Sequence, residues 1–158
     1  MRQLRAILLL PGTVTVVIPA TILYLTGISQ PRSVILGSLF ILLGLGLMVA
    51  TVRLFITVGR GTLAPWNPPE RLVVCGVYRH VRNPMITGVW CILLGEAILF
   101  GSPWLHGWFC IFVAVNMLVI PLVEEPGLVK RFGDDYVQYK QNVPRWIPRL
   151  APWKGLSE

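Results

Sequence analysis

Residues 84–123, PMITGVWCILLGEAILFGSPWLHGWFCIFVAVNMLVIPLV, hold two apolar runs parted by Gly101-Ser102-Pro103, with one acid, Glu96, inside the first. Each run, 84–101 and 103–123, comes close to the roughly 20 apolar residues an α-helix needs to cross a bilayer. A break as short as Gly-Ser-Pro permits only a tight turn, so the stretch predicts an antiparallel pair of membrane helices. Two more runs lie upstream, at 4–27 and 33–58, and predict four crossings in all. Pro11 and Pro19 fall inside the first and predict a bend, which a bilayer helix tolerates when neighbours satisfy the freed carbonyls. Gly37, Gly44 and Thr51 recur every seven residues along the second. They predict a small-residue seam where another helix approaches closely, a packing feature rather than a site.

Composition agrees. A chain of 158 residues with 54% apolar and 13% charged residues and a mean hydropathy of +0.68 could not cover a soluble surface with polar groups. No repeat or biased tract divides it, which predicts one membrane domain over 1–158. Arg2 and Arg5 precede the first run as in a signal peptide, but more than twenty apolar residues without a small-residue cleavage site predict a retained helix. Cys75, Cys91 and Cys110 lack metal-ligand spacing and read as packing residues, so no metal is expected.

Basic residues set the orientation. Arg2 and Arg5 precede the first span, Arg60, Arg71, Arg79 and Arg82 lie between the second and third, and Lys130, Arg131, Lys140, Arg145, Arg149 and Lys154 follow the fourth. Arg32 alone lies in a loop on the other side, and Arg53 lies within a span. The positive-inside rule then makes both termini, the loop 60–83 and the tail 124–158 cytoplasmic. The formal charge of +7 is accounted for by topology and anionic lipid and calls for no nucleic acid.

The loop 60–83 carries Pro65, Pro68 and Pro69 and cannot be one helix; Leu72, Val73 and Val74 followed by Gly76 predict a short extended piece and a turn. Trp66 and Tyr78 suit the headgroup level. Asn83-Pro84 places an N-cap residue before a proline at the first helical position, so the third helix should open here with free N–H groups and a positive dipole end. Such an end, with Arg79 and Arg82 beside it, can receive a carboxylate or phosphate, or it can be no more than a capped helix flanked by headgroup-binding arginines. In the tail, Glu124 and Glu125 sit where the negative end of the fourth helix disfavours acids. Either an arginine of the loop pairs with them, or Glu125-Pro126 opens a new helix. Leu128, Phe132, Tyr136, Tyr139 and Val143 then define one apolar-aromatic face, with Gly133 and Asp134 ending one helix and capping the next. That segment should lie along the membrane as an anchor, or fold its tyrosines over the helix mouth as a lid. Pro144 and Pro148 bracket an extended Arg145-Trp146-Ile147 that can run back across the same mouth.

Together these segments resemble the isoprenylcysteine carboxyl methyltransferase and phospholipid methyltransferase family of integral-membrane enzymes. Gly76, Tyr78, Arg82, Pro84 and Gly88 match its Gly-x-Tyr-x-x-x-Arg-His-Pro-x-Tyr-x-Gly stretch. Glu124, Glu125, Leu128, Phe132, Gly133, Tyr136 and Tyr139 match its second signature, with Val143, Pro144, Ile147 and Pro148 behind them. Asn83 stands where the family has His and Ile86 where it has Tyr, so position 83 keeps a hydrogen-bonding amide without a titratable group. His80 lies three residues upstream and reads as a solvated ring that could stand in for the missing histidine.

The resemblance implies an all-α membrane protein with four transmembrane helices, a cytoplasmic loop, a C-terminal interfacial helical segment and no Rossmann domain. It implies methyl transfer from S-adenosylmethionine, leaving S-adenosylhomocysteine, to a lipophilic acceptor at the cytoplasmic membrane interface, the carboxylate of a prenylated cysteine, a lipid amine or another small lipophilic group, with membrane lipid as the surrounding partner. Gly44-Leu45-Gly46 lies within a span and is no dinucleotide loop. By the same resemblance Tyr78, Arg82, Asn83, Pro84, Gly88, Glu124, Glu125, Tyr136 and Tyr139 are the cofactor-binding candidates. Arg82, Glu124 and Arg145 are the catalytic ones. A carboxylate acceptor could be held by Arg145 or Arg79, whereas an amine or thiol would need an acid such as Glu124 to take its proton. Two other classes remain at this level: a small four-helix transporter built on Glu96, and a membrane reductase of related architecture. Glu96, about 18 Å below the start of the third helix at 1.5 Å per residue, could instead be a packing residue paired with Arg53 or Asn116.

Overall fold

The computed structural model describes residues 8–28, 30–59 and 71–155. Among them every regular element is helical. The chain enters as a wide-turned π-helix, Leu8–Val17, and tightens into α1 (Ile18–Thr26). Pro11 lies inside the wide stretch and Pro19 in the first turn of α1. A proline lacks the N–H and presses on the carbonyl one turn back. Around these two prolines the helix changes pitch. Then come α2 (Val34–Thr57), a 3-10 turn at Gly76–Arg79, α3 (Pro84–Phe100) and α4 (Pro103–Val119). A second wide turn, Ile120–Glu124, contains Pro121 and leads into α5 (Glu125–Phe132) and α6 (Asp134–Asn142).

These bounds lie within a few residues of the expected spans. Arg2, Arg5, Arg60, Pro65, Trp66, Pro68 and Pro69 lie outside the described residues. The helices Val34–Thr57 and Pro103–Phe132 are long and apolar enough to cross a membrane; Pro11–Thr26 and Pro84–Phe100 are shorter apolar helices. A new α-helical segment does begin at Glu125, but the backbone stays helical from α4 into α5 instead of breaking. At 1.5 Å per residue, the 30 residues of Pro103–Phe132 extend about 45 Å, well beyond a hydrocarbon core of about 30 Å. The charged end from Glu124 onward therefore lies beyond the length that such a core would cover.

The predicted seam on α2 exists and has a counterpart. Gly37 and Gly44 pack against Gly95 and Gly88 of α3, also seven residues apart. A Cβ at Gly37 would lie 2.7 Å from Leu99 Cβ, one at Gly95 would lie 2.8 Å from the Gly37 carbonyl oxygen, and one at Gly88 would lie 3.0 Å from that of Gly44. Two backbones this close admit no side chain between them. Thr51, fully buried next in the row, satisfies its hydroxyl by donating to Leu47 and Met48 carbonyls one turn back, 2.9 Å each. At the far end the N–H groups of Arg32 and Ser33 donate to the Leu99 carbonyl at 2.7 and 3.2 Å, and Gly101 turns the chain at φ +58. Ser102 then caps α4 by accepting from Leu105 N.

Glu96 pairs with neither expected partner. Asn116 Nδ2 donates to the Phe112 carbonyl at 2.8 Å, and among the described residues Arg53 makes no ion pair. One Glu96 oxygen, Oε2, is buried without a partner.

Candidate functional site

The expected convergence of loop and tail takes the form of an ion cluster on one carboxylate. Glu125 opens α5 on the side facing α3, and its side chain is 2% exposed. Arg82 Nη1 donates to Oε1 at 2.8 Å, Arg145 grips both oxygens through Nε at 2.6 Å and Nη2 at 3.0 Å, and Lys140 Nζ lies 2.9 Å from Oε2. Arg82 is itself 7% exposed, Lys140 44% and Arg145 29%, so the Arg82–Glu125 pair is the one removed from water. Burial pushes the Glu125 carboxyl up, but hydrogen bonds from Arg145 and Lys140 and the charge of Arg82 outweigh it and hold the group below its ordinary 4.5. The hydrogen bond to Glu125 in turn raises Arg145 and keeps it charged. Three cations on one anion leave this end of the molecule locally positive.

Residues 144–153 form a strap across the start of α3. Arg82 N donates to the Pro144 carbonyl at 2.9 Å, Arg149 N to the His80 carbonyl at 3.0 Å and Trp153 N to the Arg79 carbonyl at 3.0 Å. His80 is not a solvated ring: its Nδ1 lies 2.8 Å from the Arg149 carbonyl, and since a carbonyl can only accept, Nδ1 carries the proton. Asn83 occupies the N-cap position of α3 but makes no side-chain cap. Its Nδ2 turns instead toward the Arg145 carbonyl at 3.5 Å, because the strap offers that acceptor on the same side. Trp146 stacks on Trp90 of α3, ring centroids 4.4 Å apart and planes 25° from parallel.

The apolar-aromatic face of α5 and α6 packs inward as its spacing requires. Tyr136, Tyr139 and Val143 are buried, with Leu72, Val74, Leu128, Val129, Phe132 and Trp153 around them. Gly133, at φ +56, makes the break between the two helices in a conformation that favours glycine. Tyr139 donates its hydroxyl to the Tyr78 carbonyl at 2.8 Å, and the Tyr136 hydroxyl accepts from Arg82 Nη1 at 3.5 Å. Burial raises all three phenols above their ordinary 10, Tyr78 and Tyr139 steeply; the charge of Glu125 adds to the rise at Tyr136. They remain protonated and serve as packing and hydrogen-bonding groups, not as bases.

The structure thus brings together Tyr78, Arg82, Asn83, Pro84, Glu125, Tyr136, Tyr139 and Arg145. Gly88 lies in the seam against Gly44, a place that gives it a packing role. Glu124 is exposed and makes none of the cluster's ion pairs among the described residues. The Lys140 contact and the Trp90–Trp146 pair were not legible in advance: Lys140 enters the sequence reading only as one of the tail's basic residues, and the tryptophans belong to no periodic face. Two donors at this end have no partner among the described residues: Arg82 Nε and Trp90 Nε1, both buried. A carboxylate-bearing ligand fits that donor set and the uncapped helix start, whereas the oxygens of Glu125 are already engaged.

The model of the phospholipid methyltransferase family matches residues 32–135. The protein-S-isoprenylcysteine O-methyltransferase of Schizosaccharomyces pombe is 33% identical over 93 residues, which cover 53% of this chain and 36% of that relative. The chain therefore spans little more than a third of that relative's length. No solved structure matches the chain.

Proposed function

Since the chain belongs to the phospholipid methyltransferase family, we propose that it transfers a methyl group from S-adenosylmethionine to the carboxylate of a lipophilic acceptor at the cytoplasmic membrane interface. The observation that carries the choice of carboxylate is the saturation of Glu125. A carboxylate acceptor reacts as the anion it already is near neutral pH and releases no proton. An ammonium or thiol must first lose one, and needs a base within reach. Both Glu125 oxygens are held by three cations, Asn83 cannot titrate, and the phenols are held protonated; Glu124, whose carboxyl burial and the neighbouring Glu125 charge raise above its ordinary value, joins none of the cluster's ion pairs among the described residues. The surplus positive charge also favours an anionic acceptor over a cationic one.

In this reading Arg82, Asn83 and the first turn of α3 from Pro84 hold the methionine carboxylate. Glu125, Lys140, Arg145 and the Tyr136 hydroxyl fix the Arg82 guanidinium in place. The strap excludes water from the mouth, which an in-line displacement between two aligned ligands requires more than it requires acid–base help. When bound, S-adenosylmethionine supplies an electrophilic methyl carbon whose bond to sulfur breaks, leaving the pair on sulfur, as the acceptor oxygen bonds to carbon. Four crossings with both termini in the cytoplasm complete the proposal, supported by the distribution of Lys and Arg.

Two measurements test it. Calorimetric titration of the detergent-purified protein with S-adenosylhomocysteine should saturate, and Arg82→Lys, which keeps charge but loses the planar fork, should weaken binding about tenfold. Absence of saturable binding at millimolar ligand refutes the cofactor. Incubation with methyl-tritiated S-adenosylmethionine and a membrane lipid extract should give counts that base releases as volatile methanol; base-stable counts would mean an amine or thiol acceptor.

A further inference from the structure

Trp90 lies on α3 about 9 Å along the axis from Pro84, at 1.5 Å per residue, on the membrane side of Arg82 and Asn83. Its ring is covered by Trp146 of the strap. Its indole N–H is buried and meets no acceptor among the described residues. Stacking accounts for the ring but not for the nitrogen: Phe would stack on Trp146 as well and would bring no polar atom into an apolar wall. Indole nitrogen can only donate, and buried donors without an acceptor are rare in native proteins. What satisfies it therefore carries an oxygen or another lone pair and reaches a point beneath the strap.

Resting on the carboxylate reading above, we propose that Trp90 determines acceptor specificity, its indole Nε1–H donating to one oxygen of the acceptor carboxylate while the other oxygen is left to attack. Depth separates the two ligands. A lipid-tailed acceptor enters from the bilayer and places its head at the membrane side of Arg82, where Trp90 sits, whereas the nucleoside approaches from the aqueous side. The strap ties the two functions together, because Arg145, which grips Glu125, is followed directly by Trp146, which holds the Trp90 ring. Docking of the strap thus orients the indole at the same time as it latches the cluster.

The test uses two probes, N-acetyl-S-farnesylcysteine and its decarboxylated counterpart N-acetyl-S-farnesylcysteamine, on the full chain in detergent. Trp90→Phe should leave S-adenosylhomocysteine affinity within twofold and kcat within threefold. It should raise KM for the carboxylate probe about tenfold, as loss of a hydrogen bond to a charged group does. Inhibition by the decarboxylated probe should not change. An unchanged KM, an equal loss on both probes, or failure of the wild-type protein to turn over the carboxylate probe while binding S-adenosylhomocysteine overturns the assignment. Failure to bind S-adenosylhomocysteine at all instead removes the reading on which it rests. Should Trp90→Phe disturb the fold, 3-benzothienylalanine at position 90 keeps the ring shape without the N–H and must give the same split between probes.

Discussion

From Gly88 to Leu99, α3 is held against α2 by shape, glycine against glycine. At its first turn the same helix is held by charge and main-chain hydrogen bonds to a strap that arrives 62 residues later in the chain. The difference follows the solvent at each level. Within an apolar slab there is no hydrophobic drive between helices, so close approach and dispersion hold them together. At the mouth, water competes for every polar group, and only a carboxylate withdrawn from it, as Glu125 is, makes ion pairs that hold a segment in place.

Each end can be broken separately. Glu125→Ala should have the largest effect, about 3–5 kcal/mol at the buried Arg82 pair, because three cations are left facing one another. Protease cleavage within residues 144–153 should then become fast while the α2–α3 pair stays intact; a tail as resistant as wild type would show that the cluster does not latch the strap. Acid should reach the same state without mutation. The folded pKa of Glu125 is depressed, so its contribution is full above its ordinary 4.5 and is lost as pH falls below that value toward the folded one. Gly44→Val should come next, about 1–3 kcal/mol by overpacking, read as loss of monodisperse protein on heating in detergent. Gly46→Ala, two residues on with open space around it, should change nothing; equal effects at both positions would refute the seam. Tyr139→Phe should be smallest, about 1 kcal/mol for the lost bond to the Tyr78 carbonyl, and should loosen only the packing of α6.

Much of this was legible where one residue speaks for its own neighbourhood. The Gly101-Ser102-Pro103 turn, the seven-residue spacing of Gly37 and Gly44 and the inward face from Leu128 to Val143 are local patterns, and the helices follow them. The site was legible in part. Glu125 was marked by its awkward place at a helix end, and Arg82 by its place before one, but of the two neighbouring glutamates the sequence could not say which turns inward. Rotation through the wide turn at Ile120–Glu124 decides that, burying Glu125 in the cluster and leaving Glu124 exposed. Asn83 reads as a cap because the residue type favours one, but its amide is turned so that Nδ2 donates to the strap's carbonyl and its oxygen makes no cap.

Apolar run length and turn residues fixed the helices and their order, since both act between residues a few positions apart. Which side chains meet at the mouth depended on packing: Arg82, Lys140 and Arg145 reach one carboxylate, and Trp146 reaches Trp90, only after α3, α5 and the strap have come together. Contacts across that much chain leave no periodic trace in the sequence, because the entropy of closing the loop and the geometry of the closed state belong to the fold as a whole.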